Sequence, residues 1–266
     1  MGVNQFREIK DGDCVSRVYR LPLAHLPVGD ENDPSSREPE WYDLPEGFLS
    51  GVTLASKYVG SRPSFPEQQF ITRVHVEGGK AYATDNKLAV EIDMGADCPL
   101  ALTLSVKQVR AIKAFGTAPS HAGVCGRQNF RWPDGRRLAL PKLSDGRGRV
   151  RAMFDRFDWN DFHAVDPSWR AQIVGHFAFK PMRENDGLLT VLPDRIIGGI
   201  FDSRADTELS IETHTDREEQ FEMGVFLNAV KLATEIKFVH DGDHARLLFR
   251  GANVRGIAAP RYRVAP

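Results

Sequence analysis

Cysteine is scarce in this 266-residue chain: Cys14, Cys98 and Cys125 are all it has. An odd, scattered set supports neither a disulfide framework nor a zinc knuckle, and it fits a reducing cytoplasm. No run approaches the ~18 apolar residues of a membrane helix, and the polar start MGVNQFREIKDGD has no secretory hydrophobic stretch, so no membrane partner is expected. Net charge is lacking too: 35 Lys and Arg against 36 Asp and Glu leave a formal −1. That excludes a protein that coats nucleic acid by bulk positive charge, and leaves room for a local basic surface balanced by acid elsewhere. Neither a Walker-type nor a dinucleotide-binding glycine pattern occurs, and DGRGRV is too short to serve as one. Nucleotide hydrolysis and a bound cofactor are therefore not expected. What is present is a globular balance, 41% hydrophobic and 27% charged, with length for one large domain or two ordinary ones.

The first 39 residues read as a partly irregular extension. VGDENDPSSREPE (28–40) is a polar loop, and CVSRVYRLPLAHL supplies one strand. From Trp41 the pattern becomes regular. WYDLP is a short aromatic strand, and EGFLSGVTLASKYVG puts Phe48, Leu49, Val52, Ala55 and Val59 on one helical stripe. FITRVHVEGGKAYATD holds two strands around Gly78 and Gly79, a strong hairpin signal. LTLSVKQVRAIKAFG begins as a strand and becomes a helix, with Ser105 as N-cap and Gly116 as stop, and QNFRWPDGRRLALPKL turns at Asp134 and Gly135.

The second half follows the same order. A helix in PSWRAQIVGHFAFKPM precedes strands in GLLTVLPDRIIGGIFD, TELSIETHT alternates strictly, and FEMGVFLNAVKLATEIK again runs strand into helix before a hairpin at Asp241 and Gly242. LALTLSVKQVRAIKAFG…NFRWPDGRRLALP can be laid over FEMGVFLNAVKLATEIKFVHDGDHARLLFRG. Such repetition predicts an α+β fold of two similar domains, each an antiparallel sheet covered by helices. The expected bounds are 40–147 and 166–266, with 148–165 as linker.

Three segments carry a resemblance. YATDNKLAV resembles the Ala-Thr-Asp corner, LPKLSDGR the Lys-Leu-x-Asp-Gly-Arg stretch and YRVAP the C-terminal segment of the bacterial DNA polymerase processivity clamp, the β subunit of DNA polymerase III. The likeness runs from Trp41 to Pro266 and implies counterparts of that family's middle and last domains. It implies a DNA sliding clamp with sheets outside and two helices per domain lining the inside. Two domains per chain imply a homo-oligomeric ring, a trimer in preference to a dimer, in a bacterial or phage-infected cell.

A clamp does no bond chemistry; its lining attracts phosphates of double-stranded DNA without reading bases. The residues this implies are Lys107, Arg110 and Lys113 on one helix face, Lys231 and Lys237 on a second helix, Arg170, Lys180 and Arg183 on a third, and Lys57 and Arg62 on the first helix and its exit. A solvated basic helix face is the plainer account of any one of these. The resemblance also implies a pocket for a short apolar peptide from the polymerase or an ATP-driven clamp loader, walled by Thr84, Asn86, Lys87, Leu88, Val264 and Pro266. Here the corner has two residues between Asp85 and Leu88 where the family has three, and the family's Met-Arg-Leu ending does not follow Pro266.

Two other classes compete. A metal-dependent enzyme would use HDGDH (240–244) for its ion, or Asp85 as a general base, although an aspartate after a threonine more often caps a turn. His121 and Cys125 lie close in HAGVCGRQ, which reads as a loop. The third class is a clamp-like interaction module without ring closure.

Overall fold

The computed structural model describes residues 6–11, 14–19, 38–177, 187–200, 207–241 and 244–261. The chain divides into two units, Met1–Pro39 and Glu40–Pro266. The first holds an antiparallel hairpin of β1 (Phe6–Asp11) and β2 (Cys14–Tyr19), with Phe6 opposite Tyr19. Only the second of these strands was expected.

In the second unit β3 (Tyr42–Asp43) leads into α1 (Phe48–Ala55), whose Phe48, Val52 and Ala55 are buried at helical spacing. β4 (Arg73–Glu77), β5 (Lys80–Thr84), β6 (Leu88–Asp93) and β7 (Leu102–Ser105) follow, then α2 (Val106–Lys113). Gly78 and Gly79, at φ 55° and 71°, form the β4–β5 turn, which needs left-handed backbone at both positions. Ser105 caps α2 in a capping box with Gln108. β8 (His121–Cys125), β9 (Arg127–Arg131) and β10 (Arg137–Pro141) complete the first half.

After α3 (Arg147–Phe154) the order recurs: β11 (His163–Ala164), α4 (Pro167–His176), β12 (Gly187–Leu192), β13 (Arg195–Ile200), β14 (Thr207–Ser210), β15 (Glu219–Glu222), α5 (Met223–Leu232), β16 (Glu235–Asp241), β17 (His244–Arg250) and β18 (Val254–Ala258). The pairings recur as well. β10-β9-β8-β3 matches β18-β17-β16-β11, and β7-β4-β5-β6 matches β15-β12-β13-β14. The two halves are therefore copies of one βαββββαβββ pattern.

This alignment corrects the sequence overlay by one strand. HAGVCGRQ, expected as a loop, is β8 and the turn into β9, so β9–β10 is the counterpart of β17–β18 and not of β16–β17. Small residues at Ala122 and Gly123 hide the strand, and pairing to β3 and β9 on both sides makes it.

The halves meet where β18 pairs antiparallel with β6, fusing four strands from each into an eight-stranded sheet. Successive side chains point to opposite faces of a strand. One face presents Ala81, Ala83, Val90, Ile92, Leu247 and Phe249 to the main core, beneath α1 and α5. The other presents Tyr82, Ala89, Leu248 and Ile257 to Val150 and Phe154 of α3. The joining segment 148–165 is thus an ordered cover across the junction.

Candidate functional site

The corner between β5 and β6 is built by its own side chains. Asp85 Oδ1 accepts from the backbone N–H groups of Lys87 (2.9 Å) and Leu88 (2.7 Å), and Thr84 Oγ1 accepts from Asn86 N (3.0 Å). Asn86 takes the left-handed conformation, φ 74°, that asparagine tolerates. Asp85 is spent on the turn.

Two other segments close on that corner. Ala259 N donates to Lys87 O at 2.7 Å, and Lys87 Nζ reaches Glu222 Oε2 on β15 at 2.7 Å. A groove of about 220 Å³ opens there. The β5–β6 corner contributes Thr84, Asn86 and Lys87 to its lining, β6 and β18 with the residue after it Ala89, Ile257 and Ala259, the α3 segment Met153, Arg156 and Phe157, and β17 Arg246. Apolar surface thus lies between three cationic side chains, and no carboxylate is among the lining residues. Such a groove accepts a large apolar side chain flanked by acid or polar groups.

Three of the six residues expected at a peptide pocket meet here. Leu88 is buried in the main core, 2% exposed, and does not line the groove, while Val264 and Pro266 lie outside the described residues. The lining from Met153, Arg156 and Phe157 was missed. Its signal was present: Val150, Met153, Phe154 and Phe157 stand at i, i+3, i+4 and i+7.

The basic residues separate into groups. Lys107, Arg110 and Lys113 are all exposed on α2, and Arg110 and Lys113 also suit the negative end of its dipole. α1 and α2 are neighbours, and Lys57, in the short 3-10 turn after α1, shares a groove with Lys113. Arg62 is exposed in the following loop, and Lys231 is exposed in the last turn of α5. Arg170 on α4 donates to Ala233 O at 3.2 Å, closing the end of α5. Lys180 and Arg183 lie outside the described residues.

Lys237 requires a correction. α5 ends at Leu232, Ala233 is already extended, and TEIKFVH alternates as a strand, so Lys237 sits on β16. Ile236 and Phe238 take the helix-covered face, which turns Lys237 to the opposite one. There its Nζ donates to Asn160 O at 2.8 Å and lies 3.4 Å from Asp158.

The enzyme residues are also placed. His240 Nε2 is 2.8 Å from Asp216, whose carboxyl it holds below the usual range, and its Nδ1 is 3.6 Å from Glu219. The side chains of 241–244 lie outside the description, and no group of three metal-ligating side chains occurs among the described residues. His121 on β8 pairs with Asp43 at 3.1 Å. None of the described helices is long and apolar enough to cross a membrane.

No family model and no curated protein matches the sequence. Solved structures do match. The DNA polymerase III subunit beta of Pseudomonas aeruginosa is 14% identical over 97% of this chain and 75% of its own, with a TM-score of 0.63. This chain has a sliding-clamp-like fold. The C. crescentus beta sliding clamp gives 14% identity, 96% and 74% coverage and a TM-score of 0.64. The Helicobacter pylori beta clamp, solved bound to a DNA ligase peptide, gives 8% identity, 97% and 74% coverage and a TM-score of 0.59. The α+β architecture of antiparallel sheets with few helices is that of the clamp fold.

Proposed function

We propose that this chain is a DNA sliding clamp, a non-enzymatic processivity factor that encircles duplex DNA and tethers a polymerase through a short peptide. The observation that carries the reading is the clamp fold in a chain whose βαββββαβββ pattern occurs twice; the clamp units would be 40–147 and 166–266. Three chains would supply six repeats and close a ring. The exposed row Lys107, Arg110 and Lys113 would meet phosphates without reading sequence, as sliding requires. The groove between the Asp85 corner and α3 would take the partner peptide; the peptide-bound clamp from Helicobacter pylori supports a site of this kind.

The deciding experiment is retention on circular against linear DNA with a loader present. A ring stays on circles and slides off cut ends; equal retention on both overturns the reading. Reversing charge at Lys107, Arg110 and Lys113 should reduce retention on circles while leaving assembly intact. Unchanged retention would remove these residues from the lining.

The second reading is an interaction module without ring closure, which would use the groove alone. Peptide binding by a protein that remains monomeric would establish it.

A further inference from the structure

The junction inside the chain is held by a three-charge cluster. Glu91 on β6, only 5% exposed, receives Lys80 Nζ from β5 at 2.9 Å and Arg255 Nη2 from β18 at 2.8 Å. Arg255 lies over the Trp159 ring, 4.6 Å from its centroid.

The repeat carries the same charges to the two outer edges. β5–β6 pairs Lys80 with Asp93 and Tyr82 with Glu91; its counterpart β13–β14 pairs Arg195 with Ser210 and Ile197 with Glu208. Lys80 thus falls on Arg195 and Glu91 on Glu208, and those two side chains are 3.8 Å apart. β17–β18 pairs Arg250 with Arg255, and β9–β10 pairs Arg131 with Arg137, each after a buried phenylalanine, Phe249 or Phe130. Arg137 is therefore the counterpart of Arg255, and it too lies over an indole, 5.5 Å from the Trp41 centroid. Edge β14 holds one member of the cluster, Glu208; its neighbour β13 holds the second, Arg195, and edge β10 the third, Arg137.

We propose that β10 of one copy pairs antiparallel with β14 of a second copy, with Arg137 opposite Glu208, so that Arg137 and Arg195 flank Glu208 as Arg255 and Lys80 flank Glu91. This names the joint of the proposed ring and rests on that reading. Nearby charges agree in sign: Arg127 and Lys142 beside β10, Asp194 and Glu212 beside β14. Each copy offers one edge of each kind, so the contact is head-to-tail and closes where the rotation permits. It also pairs the edges of β10 and β14, each of which is terminal in its sheet among the described residues.

The test is sedimentation of the full chain across micromolar concentrations. Arg137→Glu and Glu208→Arg should each weaken assembly, on the order of tenfold in dissociation constant. Inverting all three charges together, Arg137→Glu with Arg195→Glu and Glu208→Arg, should recover it, which a variant that merely misfolds would not do. An assembled wild type with unaffected single variants, or with no recovery in the triple variant, overturns the pairing and leaves the ring standing. A wild type that is monomeric at every concentration overturns both.

Discussion

His75 sits fully buried on β4, its Nε2 3.0 Å from Phe70 O and its Nδ1 3.4 Å from Thr103 Oγ1. A carbonyl can only accept, so Nε2 carries the hydrogen; the Thr103 hydroxyl can donate to a neutral Nδ1 or accept from a charged one, so burial decides the protonation state. Burial pushes its pKa below the ordinary histidine value, against the Phe70 hydrogen bond and the Asp145 carboxylate. The unfolded chain then binds the proton more readily, so this contribution to stability is full above about pH 6.5 and declines as pH falls below it. Asp145 works in a lower window: its hydrogen bonds from Arg147 hold its pKa at about 2, so what it contributes is present above the ordinary carboxylate value and is lost as pH falls toward about 2. Its side chain is half exposed, which screens that contribution. Thermal unfolding should show the His75 slope setting in as pH falls below about 6.5. His75→Gln should flatten it, at a cost of about 1–2 kcal/mol above pH 7 from imperfect replacement of two buried hydrogen bonds. An unchanged slope in the variant would assign the acid sensitivity to another group.

At the scale of elements, α3 serves two purposes that point in different directions. Phe154, 1% exposed, packs edge-on to Tyr82 (6.1 Å between centroids) and stacks near Trp159 (5.9 Å). Met153, one residue earlier, lines the groove. Phe154→Ala should cost about 3–5 kcal/mol in denaturant unfolding, the usual range for a buried aromatic. Met153→Ala should cost under about 2 kcal/mol, since the side chain is only partly buried, yet weaken peptide binding measurably. If both variants lost stability equally and neither altered binding, α3 would be a structural cover alone. This helix also marks the limit of what was legible in the chain. The β4–β5 turn, the Ser105 cap and the alternation of β12 to β14 follow from local chemistry, and each could be read from residues a few positions apart. α3 could not be weighed the same way, because its four-residue apolar stripe lies among Arg147, Arg149, Arg151, Asp155 and Arg156 and becomes a core face only against Tyr82 and Leu248, each some 70 or more positions away. β8 escaped for a related reason: its strand identity comes from neighbours on both sides. Lys237 was misplaced because helical and strand patterns overlap across Ala233 to Ile236, and only the extended backbone at Ala233 separates them.

For the whole molecule, the contrast between two kinds of junction governs how an assembly of this chain would open. The internal junction joins β6 to β18, and Gly256 makes the close approach possible: a Cβ there would meet Ala89 O at 2.8 Å and the ring of Phe249 closer still. The joining segment then fastens both sides of it. Arg149 donates to Glu67 O at 2.8 Å and Arg151 reaches Glu77 at 3.5 Å on the first repeat; Arg250 donates to Trp159 O and Lys237 to Asn160 O on the second. A joint between β10 and β14 of separate copies would have strand pairing and one charge cluster, without a covalent cover of this kind. Its pairing is also subject to mass action, whereas the internal one is not. Dilution should therefore release the copies from one another well before β6 leaves β18. Hydrogen exchange at two concentrations reads this directly: amides of β10 and β14 should exchange faster in the dilute sample, while those of β6 and β18 keep the same protection. Equal acceleration at both places would mean that the α3 segment adds nothing to the internal junction, and that the two kinds of joint open together.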